Sequence, residues 1–155
     1  MIRYFDASAL VKRYVRESGA VSIRRLLNAG PAAASRLSEV EVASALVRRA
    51  REGAFSVAER DRALASLADD FAALIIVEFT PEITANARGL LLRHHLRASD
   101  AVQLASCLAL QRSMSQPLSL VVFDDRLVEA AHHEGLTVAS VSTRRRRSIG
   151  RVTSH

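Results

Sequence analysis

The chain has a single cysteine, Cys107, and a single lysine, Lys12. One cysteine permits no internal disulfide and no thiolate zinc site, and it suits a reducing cytoplasm. Aromatic residues are only 5% of the chain against 49% hydrophobic, so the core must be built from Ala, Leu and Val. No apolar run approaches the roughly 20 residues of a membrane span. Charges interrupt the amino terminus before a signal-peptide apolar region forms. What remains is a length of 155 residues, which suits one domain with its own core. With lysine nearly absent, the net charge of +6 is carried by arginine. Taking the four arginines Arg144 to Arg147 from +6 leaves +2, so the body is close to balanced. The domain is expected over residues 1–142 and a basic tail over 143–155. The tail reads either as a solvated extension or as a phosphate-binding segment.

Strand and helix patterns alternate along the body. Ile2 to Phe5 reads as a strand, and Ser8 to Val15 as a helix with Ser8 at its cap. Val21 to Leu27 suggests a short helix, and Ala32 to Ser35 a strand of small residues that lets helices approach closely. Leu37 to Arg51 is a helix ended by Gly53, and Ser56 with Glu59 forms a capping box for the next. Leu74 to Phe79 reads as a buried strand. Thr80-Pro81-Glu82 starts a helix, with Thr as cap and Pro at the first position. Ala101 to Leu110 is apolar on nearly every side and reads as a buried helix. Leu118 to Phe123 is a strand, Leu127 to His133 a helix stopped by Gly135, and Thr137 to Val141 the last strand. Five alternations predict a three-layer α/β/α domain with a five-stranded parallel sheet.

In such a fold the carboxyl ends of the strands and the amino ends of the helices meet on one edge, where ligands bind. Asp6 ends the first strand, Glu41 lies early in the third helix, Asp100 starts the buried helix, and Asp124 follows the strand Leu118 to Phe123. Each has a structural role open to it. Asp6 suits a turn, Ser38 is spaced for a capping box with Glu41, Asp100 favours a helix amino end, and Asp124 suits a turn. Together the four place repelling charges on one edge, at roughly 4 kcal/mol per close pair for an effective dielectric near 20. A hard divalent cation removes that penalty, and all-oxygen ligands suit Mg²⁺ or Mn²⁺. Such ions serve phosphoryl chemistry.

Four stretches resemble the PIN-domain proteins, specifically the VapC-type toxins of bacterial toxin–antitoxin pairs. They are Tyr4-Phe-Asp6-Ala-Ser-Ala-Leu-Val-Lys-Arg-Tyr14, Ser35-Arg-Leu-Ser-Glu-Val-Glu41-Val-Ala-Ser-Ala-Leu46, Leu96-Arg-Ala-Ser-Asp100-Ala-Val-Gln-Leu-Ala105, and Val121-Val-Phe-Asp124-Asp-Arg-Leu127. The resemblance covers residues 1–141. It implies a metal-dependent endoribonuclease with Asp6, Glu41, Asp100 and Asp124 as catalytic and metal-holding residues, an RNA substrate, a cognate antitoxin and a homodimer. Periodicity would turn Glu39 inward beside Val42 and Leu46, whereas the family spacing from Ser35 selects Glu41. The spacing to Leu127 selects Asp124 over Asp125. One departure stands out: Val122 occupies a position where the family usually carries Thr or Ser, so a supporting hydroxyl is missing.

Weaker candidates surround this set. Ser8 is placed to bond a metal-bound water, and Arg97 to meet a phosphate. His94-His95 and His132-His133 read as helix-end surface residues, and Asp69-Asp70 as a solvated helix end. A non-catalytic RNA-binding PIN domain is the rival reading. A phosphotransfer domain would need an acidic pair before its phosphoacceptor, or Asp-x-Asp, and Asp6-Ala-Ser8 supplies neither.

Overall fold

The computed structural model of the chain describes residues 1–141, so the Arg144 to Arg147 run lies outside the described residues. Five strands form one all-parallel sheet: β1 (Ile2–Phe5), β2 (Ala32–Ser35), β3 (Ile75–Val77), β4 (Leu118–Val121) and β5 (Thr137–Val138), in the order β3-β2-β1-β4-β5. Seven helices connect them: α1 (Ala7–Leu10), α2 (Ala20–Asn28), α3 (Arg36–Arg51), α4 (Val57–Ala72), α5 (Pro81–Arg93), α6 (Ala98–Ser113) and α7 (Asp125–His133). A 3-10 turn, Val11–Arg13, extends α1.

The period of two in each strand sorts the core into two layers. Ile2, Tyr4, Ala33, Leu118 and Leu120 face α5, α6 and α7. Phe5, Ala32, Ala34 and Val121 face α1, α2, α3 and α4. The expected buried helix is α6, whose Ala101, Leu104, Ala105 and Cys107 are fully buried. Burial pushes the Cys107 thiol well above its ordinary range.

Several local expectations are corrected. Asp6, not Ser8, caps α1, because its carboxylate accepts from the Ala9 N–H. Ser35, not Ser38, caps α3. Asp124 caps α7, which starts two residues earlier than its apolar pattern. The predicted buried strand Leu74 to Phe79 shortens to Ile75–Val77 at the sheet's edge, with Ile75 37% and Phe79 55% exposed. It pairs on one side only; Ile76 packs on one core layer and Val77 on the other, but at the rim neither is fully covered. The last strand is two residues long. Asp70 is no solvated helix end. It takes a bidentate pair of bonds from Arg13, both 2.8 Å, and one from the Tyr14 hydroxyl at 2.7 Å, tying α4 to the end of the α1 segment. Burial opposes its ionisation, but those bonds prevail and hold it below the usual carboxylate range.

From β1 the chain builds β2 and β3 on one side, then crosses to β4 and β5 on the other. The switch point therefore lies beyond the carboxyl ends of β1 and β4, where open α/β sheets bind ligands.

Candidate active site

Asp6 leaves the end of β1 at this switch point, with its N–H bonded to the Val121 carbonyl at the end of β4. Its side chain is only 4% exposed. The Ser8 hydroxyl lies 2.8 Å from both carboxylate oxygens, and the Ala9 N–H donates to Oδ1 at 3.0 Å. These bonds favour the charged form, yet burial outweighs them and raises the Asp6 pKa from 3.8 to about 7, with Glu41 and Asp100 adding to the rise.

Glu41 reaches the same edge from α3, six residues past its Ser35 cap. It is half-buried and accepts a bond from Gln103 Nε2 at 2.9 Å. Burial raises its pKa, and the charge of Asp100 raises it further. Glu39, the rival, instead pairs with Arg36 at 3.0 Å on the outside of the helix. The apolar stripe of α3 runs through Ser38, Val42 and Leu46, so Glu41 lies at its margin, where a side chain reaches a cleft without entering the core. Periodicity favours Glu39 because Ser38, a polar residue, is a member of the buried stripe.

Asp100 lies in the first turn of α6, near the positive end of the helix dipole. It is partly buried, and its pKa is raised first by burial and then by the charge of Asp124, while Arg97 and Arg126 act the other way. Asp124 is exposed at the end of the β4 segment, with Oδ1 accepting from the Leu127 N–H at 3.0 Å. Asp125 faces away, lining a shallow hollow with His132 and His133.

The four carboxylates therefore form one electrostatic chain, Asp6 to Glu41 and Asp100, and Asp100 to Asp124. Among the described residues, no three His, Cys, Asp or Glu side chains already stand as a set able to hold a metal ion. The donor chemistry fits a hard divalent cation: oxygen only, mutually repelling, with one member buried. Cation binding would have to draw the side chains closer.

Sequence reasoning missed Gln103. Fully buried on α6, it accepts from the Tyr4 hydroxyl of β1 at 2.8 Å and donates to Ser38 Oγ of α3 at 2.7 Å as well as to Glu41. One amide thus locks the rotamer of Glu41 and joins three elements. The signal was present: a Gln one turn after Asp100, within a helix apolar on nearly every side, must find partners.

The remaining polar clusters stand apart. His94 is half-buried instead of superficial, bonded to Glu134 at 2.6 Å with its ring 6.1 Å from that of His133, and among the described residues no histidine is bonded to Asp6, Glu41, Asp100 or Asp124. A cavity of about 230 Å³ between Leu10, Tyr14, Leu27, Phe71 and Leu74 includes none of the four either.

Comparison with known proteins identifies the family. The PIN-domain sequence profile matches residues 3–133. Ribonuclease VapC45 of Mycobacterium tuberculosis (strain CDC 1551 / Oshkosh) is 39% identical over 138 residues, covering 88% of this chain and 93% of the relative. Among solved structures, the Mycobacterium tuberculosis toxin VapC20, described as cleaving the sarcin–ricin loop, superposes with a TM-score of 0.64 at 18% identity, covering 83% of this chain and 94% of that one. A toxin–antitoxin complex from Klebsiella pneumoniae gives 0.54 at 19% identity, covering 79% and 86%. With that profile match and that relative, the chain belongs to the PIN-domain family and is of the VapC type.

Proposed function

We propose that the protein is a metal-dependent endoribonuclease acting as the toxin of a toxin–antitoxin pair. The observation that carries the reading is the buried Asp6 carboxylate at the switch point, its pKa lifted to about 7 in the company of Glu41 and Asp100. Asp6 and Asp100 would hold Mg²⁺ or Mn²⁺, with Glu41 and Asp124 completing the site directly or through water. Such an ion would lower the pKa of a water and offset charge on the phosphate and leaving oxygen. The protein's own work is positioning. Ser8 and the Ala9 N–H fix Asp6, Gln103 fixes Glu41, and the start of α7 fixes Asp124. Arg97 and Arg126, whose charges act on Asp100, would meet the phosphate.

Ribonuclease VapC45, by its name, supports the RNA substrate, and the Klebsiella complex supports an antitoxin partner. The antitoxin would set a basic side chain among the carboxylates, and the toxin would work as a homodimer in the cytoplasm. Among the described residues, no helix is long and apolar enough to cross a membrane. Purified protein should cleave single-stranded RNA with Mn²⁺ and not with EDTA, and Asp6→Asn or Asp100→Asn should abolish cleavage. RNA that is bound but left whole with Mn²⁺ would point to the non-catalytic RNA-binding alternative.

A further inference from the structure

A cleft of about 460 Å³ opens between the Tyr14–Arg16 segment, the end of α3 and the start of α4. Its walls combine three guanidinium groups, Arg16, Arg49 and Arg62, with the rings of Tyr14 and Phe55. Arg16 and Arg62 are exposed, and neither has an ion-pair partner among the described residues. The carboxylates nearby are already engaged. Glu59 closes the capping box of α4 with Ser56. It is held below the usual range first by the Ser56 amide and then by the Ser56 hydroxyl, Arg62 and Arg16. Glu17 binds Arg49 at 2.6 Å and Lys12 at 3.0 Å. The Tyr14 hydroxyl is tied to Asp70, which fixes its ring.

A line of side-chain contacts links the cleft to the carboxylate edge. From Arg49 the contacts pass through Glu17 to Lys12, whose ammonium stands 4.5 Å from the centre of the Phe123 ring, and Phe123 precedes Asp124. Along α3, Glu41 and Arg49 are separated by about 12 Å of helix. Cationic groups that track a backbone, interleaved with rings that stack on bases, are what single-stranded nucleic acid binding requires.

We propose that this cleft binds the RNA strand a few nucleotides from the scissile phosphate, with Arg16 and Arg62 on phosphates and Phe55 and Tyr14 against bases. The inference takes its substrate from the nuclease reading but concerns a separate set of residues.

Binding of a fluorescent single-stranded oligoribonucleotide of about ten nucleotides, measured by anisotropy in EDTA over a range of salt, tests it without cleavage. Arg16→Gln and Arg62→Gln should each reduce the log–log salt slope by about 0.7, and Arg62→Lys should restore it. Phe55→Ala should weaken binding roughly tenfold and leave the slope unchanged. Arg88→Gln, an exposed arginine on α5, serves as control and should change nothing. Circular dichroism melts establish that each variant is folded. Unchanged slopes in both cleft variants, or an equal loss in Arg88→Gln, would overturn the proposal, as would a cleft that takes an acidic peptide and not RNA. Reduced slopes in a protein that never cleaves RNA would retain the cleft and remove the nuclease. Cleavage with unchanged slopes would do the reverse.

Discussion

Folding moves the Asp6 carboxyl from 3.8 up to about 7, so the native protein binds this proton more tightly than the unfolded chain does. Below 3.8 both states are protonated and the group costs nothing. As pH rises the unfolded chain ionises first, and the penalty on the metal-free fold grows until it is complete above about 7. Its size there is about 4 kcal/mol. Glu41 and Asp100 are shifted in the same direction. Asp70, Glu17 and Glu134 are shifted down, and their stabilisation is already complete above the ordinary carboxylate range. The metal-free protein should therefore lose stability between about pH 5 and pH 7. Asn caps a helix as well as Asp does, so Asp6→Asn should remove much of that loss, leaving a flatter stability profile than wild type. Urea unfolding in EDTA at several pH values measures the difference; parallel profiles for the two proteins would contradict the assignment. The position of Asp6 at the end of the first strand was legible in the sequence. Its cap on α1 was not, because Ser8 is also a good cap residue and the sequence does not say where a helix begins to turn.

At the scale of elements, Gln103 is the joint between β1, α3 and α6. Gln103→Met keeps the volume but strands the Tyr4 and Ser38 hydroxyls in the core and frees Glu41. The expected cost is about 2–3 kcal/mol. Tyr4→Phe removes one of the stranded groups, so the double variant should lose less than the sum of the singles. Urea unfolding of the four proteins checks this, and additive losses would mean that the hydrogen bonds do not act as a unit. The elements themselves were largely readable, since helix periodicity and Gly or Pro boundaries are local signals. The exceptions have tertiary causes. β3 reads as a buried run but forms an edge, because strand order is not written in any one strand. Asp70 reads as solvated because its partners, Arg13 and Tyr14, lie more than fifty residues away in the chain. Gln103 was passed over because an amide in an apolar helix declares its need for partners without naming them.

For the whole molecule, the sheet order explains how four short motifs, distant in sequence, come to share one edge. A chain that switches sides at β1 brings the ends of β1 and β4 together and sets the starts of α3 and α6 over them. The alternation of strands and helices was enough to place Asp6, Glu41, Asp100 and Asp124 on one edge. Choosing Glu41 over Glu39 took the family spacing, since the core-facing stripe of α3 includes a serine. If this edge holds a hard cation, thermal melts of wild type and Asp6→Asn, each in EDTA and in Mn²⁺, will show it. In EDTA at neutral pH the variant should melt above wild type, because it lacks the charge penalty of the buried Asp6 carboxylate. With Mn²⁺ at 100 times its dissociation constant, wild type should gain about 2.7 kcal/mol and the variant much less. A variant that melts well below wild type in EDTA, with no Mn²⁺ response from wild type, would contradict the account and return Asp6 to the role of a helix cap.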